Sequence, residues 1–571
     1  MQNNKRWLKH YPPGVPFEVR TDQYPSLVAL LEESFRKHQG LPAYRFMGRA
    51  YSFGRIDELS RAFAAWLQGL ALARGDRVAV MLPNLPQYPV VVTGILRAGL
   101  VVVNVNPLYT ARELALLLKD SGAKAIVVLE NFAATLQQAA SGSGVPTKHV
   151  VLAAIGDLLG PLKGALANHA VRRVKKLVSA FDLPGAVRFN TTIERGRRRV
   201  LEPPQLGPQD IALLQYTGGT TGASKAAVLL HGNLVANLLQ SQAWHQPVLK
   251  RIPPGQQIVM VGALPLFHIF GFNGIMMLAL RAGACVVLIA NPRDIGGLLK
   301  QLARQPFHSF PAINTLFSAI ARHPDFDRVD WSSLKLSVGG GMAVQETTAR
   351  LWFEKTGCRI CEGYGLTETS PSAACNPVDG TAFNGSIGVP LPSTELALLD
   401  DEGRELGPGA AGEIAIRGPQ VMAGYWQRPD ETAKVMTADG WLRTGDIGVM
   451  DERGYFRIVD RKKDMIVVSG FNVYPNEIEE VVTQVAGVLE CAAVGMPDDA
   501  AGEAVKLFVV RTQNDSASPS EAELRAYCQA HLTGYKRPKV IEFRDTLPKS
   551  AVGKVLRREL RGSVNHRTAA P

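Results

Sequence analysis

The stretch "QYTGGTTGASKAAVLLHGN", Gln215 to Asn233, sets four glycines, three threonines and one lysine between hydrophobic runs. Glycine has no Cβ to shield its backbone N–H, so a turn of this kind can wrap a phosphate chain. Thr217, Thr220 and Thr221 add hydroxyl donors, and Lys225 adds a mobile cation suited to an anionic ligand. A nucleoside triphosphate is the first ligand to expect. The P-loop pattern is excluded, because it needs Ser or Thr directly after its Gly-Lys, whereas Ser224 precedes Lys225 here and Ala226 follows it. Taken alone, the loop reads equally as a solvated connection between a strand and a helix.

Four further segments are polar for their surroundings. "SVGGGMAV" ends a buried strand in Gly339, Gly340 and Gly341, which lets a flat ring lie against the backbone. "EGYGLTETS" sets Tyr364, three hydroxyl side chains and two carboxylates in one loop. "WLRTGDIG" offers Asp446 after a tight turn, and "LPKSAVGKVLRREL" places Lys554 beside a glycine near the end of the chain. Each has an ordinary reading as a strand-terminal turn, a polar loop, a hairpin turn or an exposed helix start. Their joint presence in this order carries the weight.

The elements that must position these residues follow from pattern. From Arg77 onward, Val/Ile/Leu runs ("RVAVML", "VVVNV", "AKAIVVL", "QIVMVGA", "CVVLIA", "LKLSVGGG") alternate with helical stretches near Tyr88 to Ala98 and at "RELALLLKDSG". Such runs imply a parallel sheet buried on both faces. After Pro392, "ELALLDDEG", "GEIAIRG" and "GYFRIVDRKKDMIVVSG" alternate with period two and read as antiparallel hairpins. Past Gly470, a helix from Pro475 and the strands "LECAAVGM" and "AVKLFVV" make a smaller α+β unit. The chain thus reads as α/β: a large body of α/β subdomains plus a β-rich subdomain over 1–460, and a small C-terminal α+β domain over 461–571.

With 571 residues, 46% hydrophobic and 20% charged, the chain is long and apolar enough for several cores and is not a disordered type. Six cysteines form no metal framework beyond the single pair Cys358/Cys361, so no metal is assigned to cysteine. The opening "MQNNKRWLKHYPPGVP" lacks an apolar core segment and is not expected to be a secretory signal. Ile252 to Leu280 has no Asp, Glu, Lys or Arg, but its prolines, His268 and four glycines favour a strand (Ile258 to Val261), the loop "LPLFHIFGFNG" and a buried helix over a membrane span.

The net charge of +12 is uneven: nine Arg/Lys stand against Asp182 and Glu194 between Arg172 and Arg199. Just before and into this segment, Leu162, Leu166, Ala170, Val174 and Val178 recur at steps of four beside Arg172, Arg173, Lys175 and Lys176. Three readings stay open: a helix docked by its apolar stripe, contact with an anionic membrane surface, or nucleic-acid binding.

"YTGGTTGASK", "GYGLTET", "WLRTGDIG", "DRKKDMIVVSGFNVYP" and "PKSAVGK" together resemble the motif series of the adenylate-forming superfamily, which holds acyl-CoA synthetases, firefly luciferase and peptide-synthetase adenylation domains. The likeness runs over nearly the whole chain. "WLKHYPPGVP", "NPLYTARELALLLKDSGAKAIVV" and "LTGYKRPKVIEFRDTLPKSAVGKVLRREL" are similar to bacterial long-chain fatty acid CoA ligases. The resemblance implies activation of a fatty acid by ATP to an acyl-adenylate, then transfer to CoA. Tyr216, Thr217, Gly218, Gly219, Thr220, Thr221, Gly222 and Lys225 would surround the β and γ phosphates, with Mg²⁺ on Glu368 and Thr221. Thr367 would bond the α-phosphate, and Tyr364 with Gly365 would lie on adenine backed by Gly339 to Gly341. Asp446 and Arg461 would take the ribose, and Lys554, charged at neutral pH, would neutralise the reacting phosphate. The C-terminal domain would be mobile, turning about Lys463 to bring Gly470 toward the nucleotide for CoA transfer.

His268 and Phe272 are the acyl-gate candidates; burial of each CH₂ in such a channel contributes about 0.8 kcal/mol, so its depth would set chain length. Ala226, Leu230 and Ala343 depart from the family's usual glycine, threonine and proline, and none removes a catalytic group. Expected partners are fatty acid, ATP and CoA, with reversible membrane contact and a homodimer as further candidates and no nucleic acid. The expected location is the cytoplasm or the inner face of the cell membrane. The alternatives are a fatty acyl-AMP ligase serving a carrier protein, a medium-chain or aryl acyl-CoA synthetase, or a non-catalytic lipid or nucleic-acid binder. The last would leave Glu368, Asp446 and Lys554 unexplained.

Overall fold

The computed structural model describes residues 5–565 except 142–144, 146, 218–223, 380–382, 470, 499–500, 513–517 and 551–552, with backbone alone for 563–565. Two large sheets form the body. In the first, parallel strands Ile211–Thr217, Val101–Asn104, Arg77–Met81, Ala125–Leu129, His149–Ala153 and Val187–Arg188 lie side by side in that order. Lys225–Leu230 and then Gly424–Tyr425 extend it antiparallel past Ile211–Thr217. Every residue of Val101–Asn104 and Ala125–Leu129 is buried, as continuous apolar runs covered on both faces require. The connecting helix Ala111–Ser121 starts at a Thr110/Glu113 capping box, which satisfies two backbone donors, and stops at left-handed Gly122.

The second sheet has nine strands, with Ile360–Gly365, Leu336–Gly339, Ser309–Ala312, Val259–Gly262, Cys285–Leu288 and Pro42–Phe46 parallel at its centre. The helix Gln87–Arg97 and the helical stretch 269–282 lie in the core shared by both sheets, and for this reason the first is buried along its whole length. A third, antiparallel sheet is built from Glu395–Leu399, Ala411–Arg417, Leu442–Met450 and Phe456–Arg461. A fourth holds Phe471–Val473, Ile466–Val468, Gly502–Arg511 and Val488–Asp498, with Val540–Phe543 added in parallel.

Two expectations need correction. The Gly/Thr loop joins two antiparallel strands rather than a strand and a helix, since Thr217 faces Lys225 in register. The antiparallel pairing expected for "GYFRIVDRKKDMIVVSG" is present, and the chain changes sheets within it: Phe456–Arg461 pairs with Leu442–Met450 and Ile466–Val468 pairs with Phe471–Val473. The loop after Val259–Gly262 is shorter than expected, because the His268 ring accepts the Phe270 N–H at 3.3 Å and starts a helix at Ile269. No helix among the described residues is long and apolar enough to cross a membrane.

The basic segment also differs from its first reading. The helix Pro161–His169 runs into a π-helical turn at Ala170–Val174, and its apolar residues face outward: Leu162 is 83% exposed, Leu166 and Val174 70% each, and Leu177 55%. The stripe is therefore not a docking face for the body. Polar contacts tie the segment down instead: the Arg172 guanidinium makes two bonds of 2.8 and 2.7 Å to buried Glu130, and Asn168 Oδ1 accepts the Gly156 N–H at 2.8 Å.

Candidate active site

The hairpin register delivers Lys225 beside Thr217, whose Oγ1 donates to the Lys225 carbonyl at 3.3 Å. Gly218, Gly219, Thr220, Thr221 and Gly222 lie outside the described residues. The Lys225 ammonium pairs with Glu431 and lies 5.2 Å from the centre of the Tyr425 ring. Hydrogen bonds from Lys225 and Lys434 hold the Glu431 carboxyl down at about 2. Tyr425 sits on the edge strand beside Lys225–Leu230, and its hydroxyl donates to Glu368 Oε1 at 2.8 Å. The Glu368 carbonyl accepts the Met422 N–H at 2.8 Å, so both ends of this residue are fixed. Tyr425 and Glu431 were missed in the sequence because nothing local to "MAGYWQRPDET" announces a partner 57 residues upstream. Tyr216 reaches the same cavity, but its hydroxyl donates to Asp120 at 2.8 Å and is not turned to a ligand.

A rigid group stands opposite. Tyr364 ends Ile360–Gly365, and sheet register sets Asp446 against Arg461 on neighbouring strands. The Tyr364 hydroxyl donates to Asp446 Oδ2 at 2.6 Å, and Arg461 Nε pairs with Oδ1 at 3.0 Å. Each oxygen keeps a further lone pair for a ligand hydroxyl. Burial, then the Asp446 charge, raises the Tyr364 hydroxyl well above its ordinary value. Glycine is required around this group by close approach: a Cβ on Gly365 would stand 1.8 Å from the Pro371 carbonyl oxygen, and one on Gly340 would stand 3.0 Å from the Phe270 ring. Gly339, Gly340 and Gly341 line the cavity together with Tyr364 and Gly365. Glu362 is an unforeseen member: it accepts the Val344 N–H at 3.1 Å, and burial raises its carboxyl to about 8. At neutral pH it is a protonated acid beside the glycines, able to donate a hydrogen bond.

Lys554 comes from the other end of the chain. Its N–H donates to Ser550 Oγ at 3.1 Å and its carbonyl accepts the Ser550 N–H at 2.7 Å, which closes a tight turn through left-handed Gly553. The side chain lines the cavity with Arg461 and Lys463. Burial, then the nearby Arg461 charge, pulls the Lys554 ammonium down to about 7, so the full charge expected at neutral pH is corrected to a partial one. The next helix, Arg557–Asn565, anchors this turn: Arg557 Nη2 donates to Asn476 Oδ1 at 2.7 Å and to Glu479 Oε2 at 2.8 Å. Arg561 Nη1 donates to the Lys463 carbonyl at 3.1 Å, and burial lowers the Lys463 ammonium. Gly470 lies outside the described residues.

Lys225, Tyr364, Glu368, Arg461 and Lys554 share one cavity of about 1250 Å³, whereas Glu362 and Asp446 line its neighbour. Thr217, Lys225, Thr367 and Glu368 line the polar part of the first; His268, Phe270 and Leu278 line an arm between the helix His231–Leu249 and the helical stretch 269–282. His268 Nδ1 accepts the Phe270 N–H, which leaves the ring proton on Nε2, and burial lowers the imidazole to about 4. Phe272 does not reach the cavity. It is fully buried in the body core, and the phenylalanine in contact with Gly340 is Phe270. The π-helical turn Phe272–Met277 shifts the helical phase, which the sequence period does not reveal. A second cavity of about 860 Å³ borders the first and is lined from both sides, by Ser318 and Gln345 of the body and by Asn476, Gln484 and Lys549 of the small domain.

Among the described residues no cluster of three or more metal-ligating side chains forms. Glu368 nonetheless offers one carboxylate oxygen not bonded to Tyr425, with the Thr367 and Thr217 hydroxyls on the same cavity wall. One carboxylate with hydroxyls and phosphate oxygens suits a hard cation that keeps much of its water, so the donor set fits Mg²⁺.

Glycine platform, clamped carboxylate and buried lysine around one cavity define an enzyme that activates a substrate with a nucleotide. Residues 31–426 match the AMP-binding enzyme family and residues 477–554 match the AMP-binding enzyme C-terminal domain. The chain belongs to this family. It is 53% identical over 558 residues to the long-chain-fatty-acid–CoA ligase of Escherichia coli O157:H7, covering 98% of both chains. It is 38% identical to the long-chain-fatty-acid–CoA ligase of Bacillus subtilis (strain 168), again over 98% of both. Among solved structures, the anthranilate CoA ligase AuaEII in complex with anthranoyl-AMP superposes with a TM-score of 0.84 at 27% identity, over 97% of this chain and 100% of that one. ATP-bound MatB from Rhodopseudomonas palustris superposes with a TM-score of 0.79 at 28% identity, over 94% and 98%.

Proposed function

We propose that this chain is an AMP-forming ligase joining long-chain fatty acids to CoA. The observation that carries the reading is one cavity with two unlike arms, a polar one at Lys225, Glu368 and Lys554 and an apolar one at Phe270 and Leu278. A fatty carboxylate oxygen attacks the α-phosphorus of ATP while the bond to the pyrophosphate oxygen breaks. The CoA sulfur then attacks the acyl carbon, and AMP leaves with the carboxyl oxygen. Lys225 and the Thr217 hydroxyl meet phosphate oxygens, Thr367 meets the α-phosphate, and the neutral His268 donates its Nε2 proton toward the carboxylate without opposing charge. Lys554 stabilises negative charge on the reacting phosphate. Asp446 accepts ribose hydroxyls and Tyr364 covers adenine. Mg²⁺ held by Glu368 would screen the phosphate charge.

Residues 1–460 and 461–571 act as two domains in this reading. The small one turns about Lys463 after adenylation, withdrawing Lys554 and presenting the Gly470 face to CoA. The turn carrying Lys554 and the helix behind it belong to the moving unit through Arg557 and Glu479, which supports this division. The test is magnesium-dependent exchange of labelled pyrophosphate into ATP with palmitate, followed by palmitoyl-CoA formation. Exchange without AMP release on adding free CoA would favour the carrier-protein ligase instead.

Reversible contact with an anionic membrane face is part of the proposal. Outward-facing Leu162, Leu166, Val174 and Leu177 beside Arg173, Lys175 and Lys176 support it, each cation contributing about 1 kcal/mol near an anionic leaflet. Reversing the charges of those three should reduce flotation with phosphatidylglycerol vesicles; unchanged flotation would remove the contact.

A further inference from the structure

The apolar arm of the cavity carries a polar notch. Phe270, Leu278 and Leu391 line this arm, but so do Ser241 and His245 on the helix His231–Leu249. Four residues apart on a helix, they share one face and stand about 6 Å apart along its axis. Neither makes a hydrogen bond, ion pair or ring contact with any described residue. His245 lies so deep that burial alone lowers its imidazole to about 4, yet it keeps part of its surface, and that surface lines the cavity.

A neutral imidazole carries one donor and one acceptor, and a serine hydroxyl carries both. Burying such groups without partners is unfavourable. A saturated hydrocarbon chain threading past them would satisfy neither, whereas a chain bearing a hydroxyl group could satisfy both at once. His268, the other imidazole on this arm, already has a partner in the Phe270 N–H, whereas Ser241 and His245 have none. Resting on the fatty acid ligase reading above, we propose that Ser241 and His245 form a subsite for an oxygen substituent on the acyl chain, so that hydroxylated long-chain acids are preferred substrates.

The experiment compares kcat/KM for palmitate with kcat/KM for a series of monohydroxypalmitates whose hydroxyl is moved along the chain. At one position, or two adjacent ones, the hydroxy acid should exceed palmitate by about 3- to 10-fold, the worth of one net hydrogen bond. In Ser241→Val and His245→Phe that ratio should fall to one or below at the same position, and in His245→Gln, which keeps a donor and an acceptor, part of the preference should remain. Thermal midpoints of the variants show that they fold. If no position exceeds palmitate, the notch holds water only and the proposal is overturned; a preference that survives in the Ser241→Val/His245→Phe double variant overturns it as well. Failure to activate palmitate at all would instead defeat the ligase reading itself.

Discussion

Asp446 and Lys554 line the same cavity of about 860 Å³ and are held in opposite ways. Asp446 sits within a β-strand, buried, with both oxygens already bonded to Tyr364 and Arg461. Lys554 sits on a turn closed by Ser550 and backed by a helix whose chief anchor is Arg557. The first group is fixed by sheet register, which cannot shift without losing its ladder. The second is carried by a unit tied through side chains, and its own charge is only partly present at neutral pH. In the proposed two-step reaction Asp446 would be the permanent ribose acceptor and Lys554 the removable cation.

The sharpest way to break this contrast is Lys554→Ala. Adenylate formation should fall about 10²- to 10³-fold, while thioester formation from supplied acyl-adenylate persists in single-turnover assays. Equal loss of both half-reactions would mean that Lys554 is no more removable than Asp446. Next is Arg557→Met, which leaves Glu479 without its cation and should cost about 3 kcal/mol of stability, read by calorimetry. Adenylation should suffer more than thioester formation, with Arg557→Lys recovering part of it.

Smaller still is Tyr364→Phe, which removes one bond to a carboxylate and should weaken ATP binding about tenfold, measured by titration. The finest test concerns protons. With Lys554 near 7 in the free enzyme, binding a polyanion raises its pKa, so ATP binding at pH 8 should take up a proton that is already present at pH 6. Affinity should therefore weaken as pH rises above 7. Calorimetry in buffers of different ionisation heat reads the uptake, and Lys554→Ala should abolish it.

Much of this arrangement was legible beforehand. Continuous runs such as "VVVNV" disclosed the buried parallel strands, because a strand covered on both faces has no polar side to alternate with. Lys554, Glu368, Tyr364 and Arg461 do converge on one cavity. Glu362, Tyr425 and Glu431 were not legible, since each acquires its role from a distant partner, and a carboxyl rises to about 8 only once its surroundings exclude water. Phe272 was misplaced for a related reason: three phenylalanines stand within six residues, and only the helix start at Ile269 decides which of them faces the cavity.

The sequence by itself determined the chemical inventory and the order of elements, because residue type fixes charge and hydrogen-bonding capacity, and apolar spacing fixes which segments can be strands or helices. Tertiary structure alone decided which groups share a volume, which carboxyl is neutral, and whether the apolar stripe of the basic segment is buried or exposed. Those properties depend on distance and on exclusion of water, and neither exists until segments hundreds of residues apart are packed together.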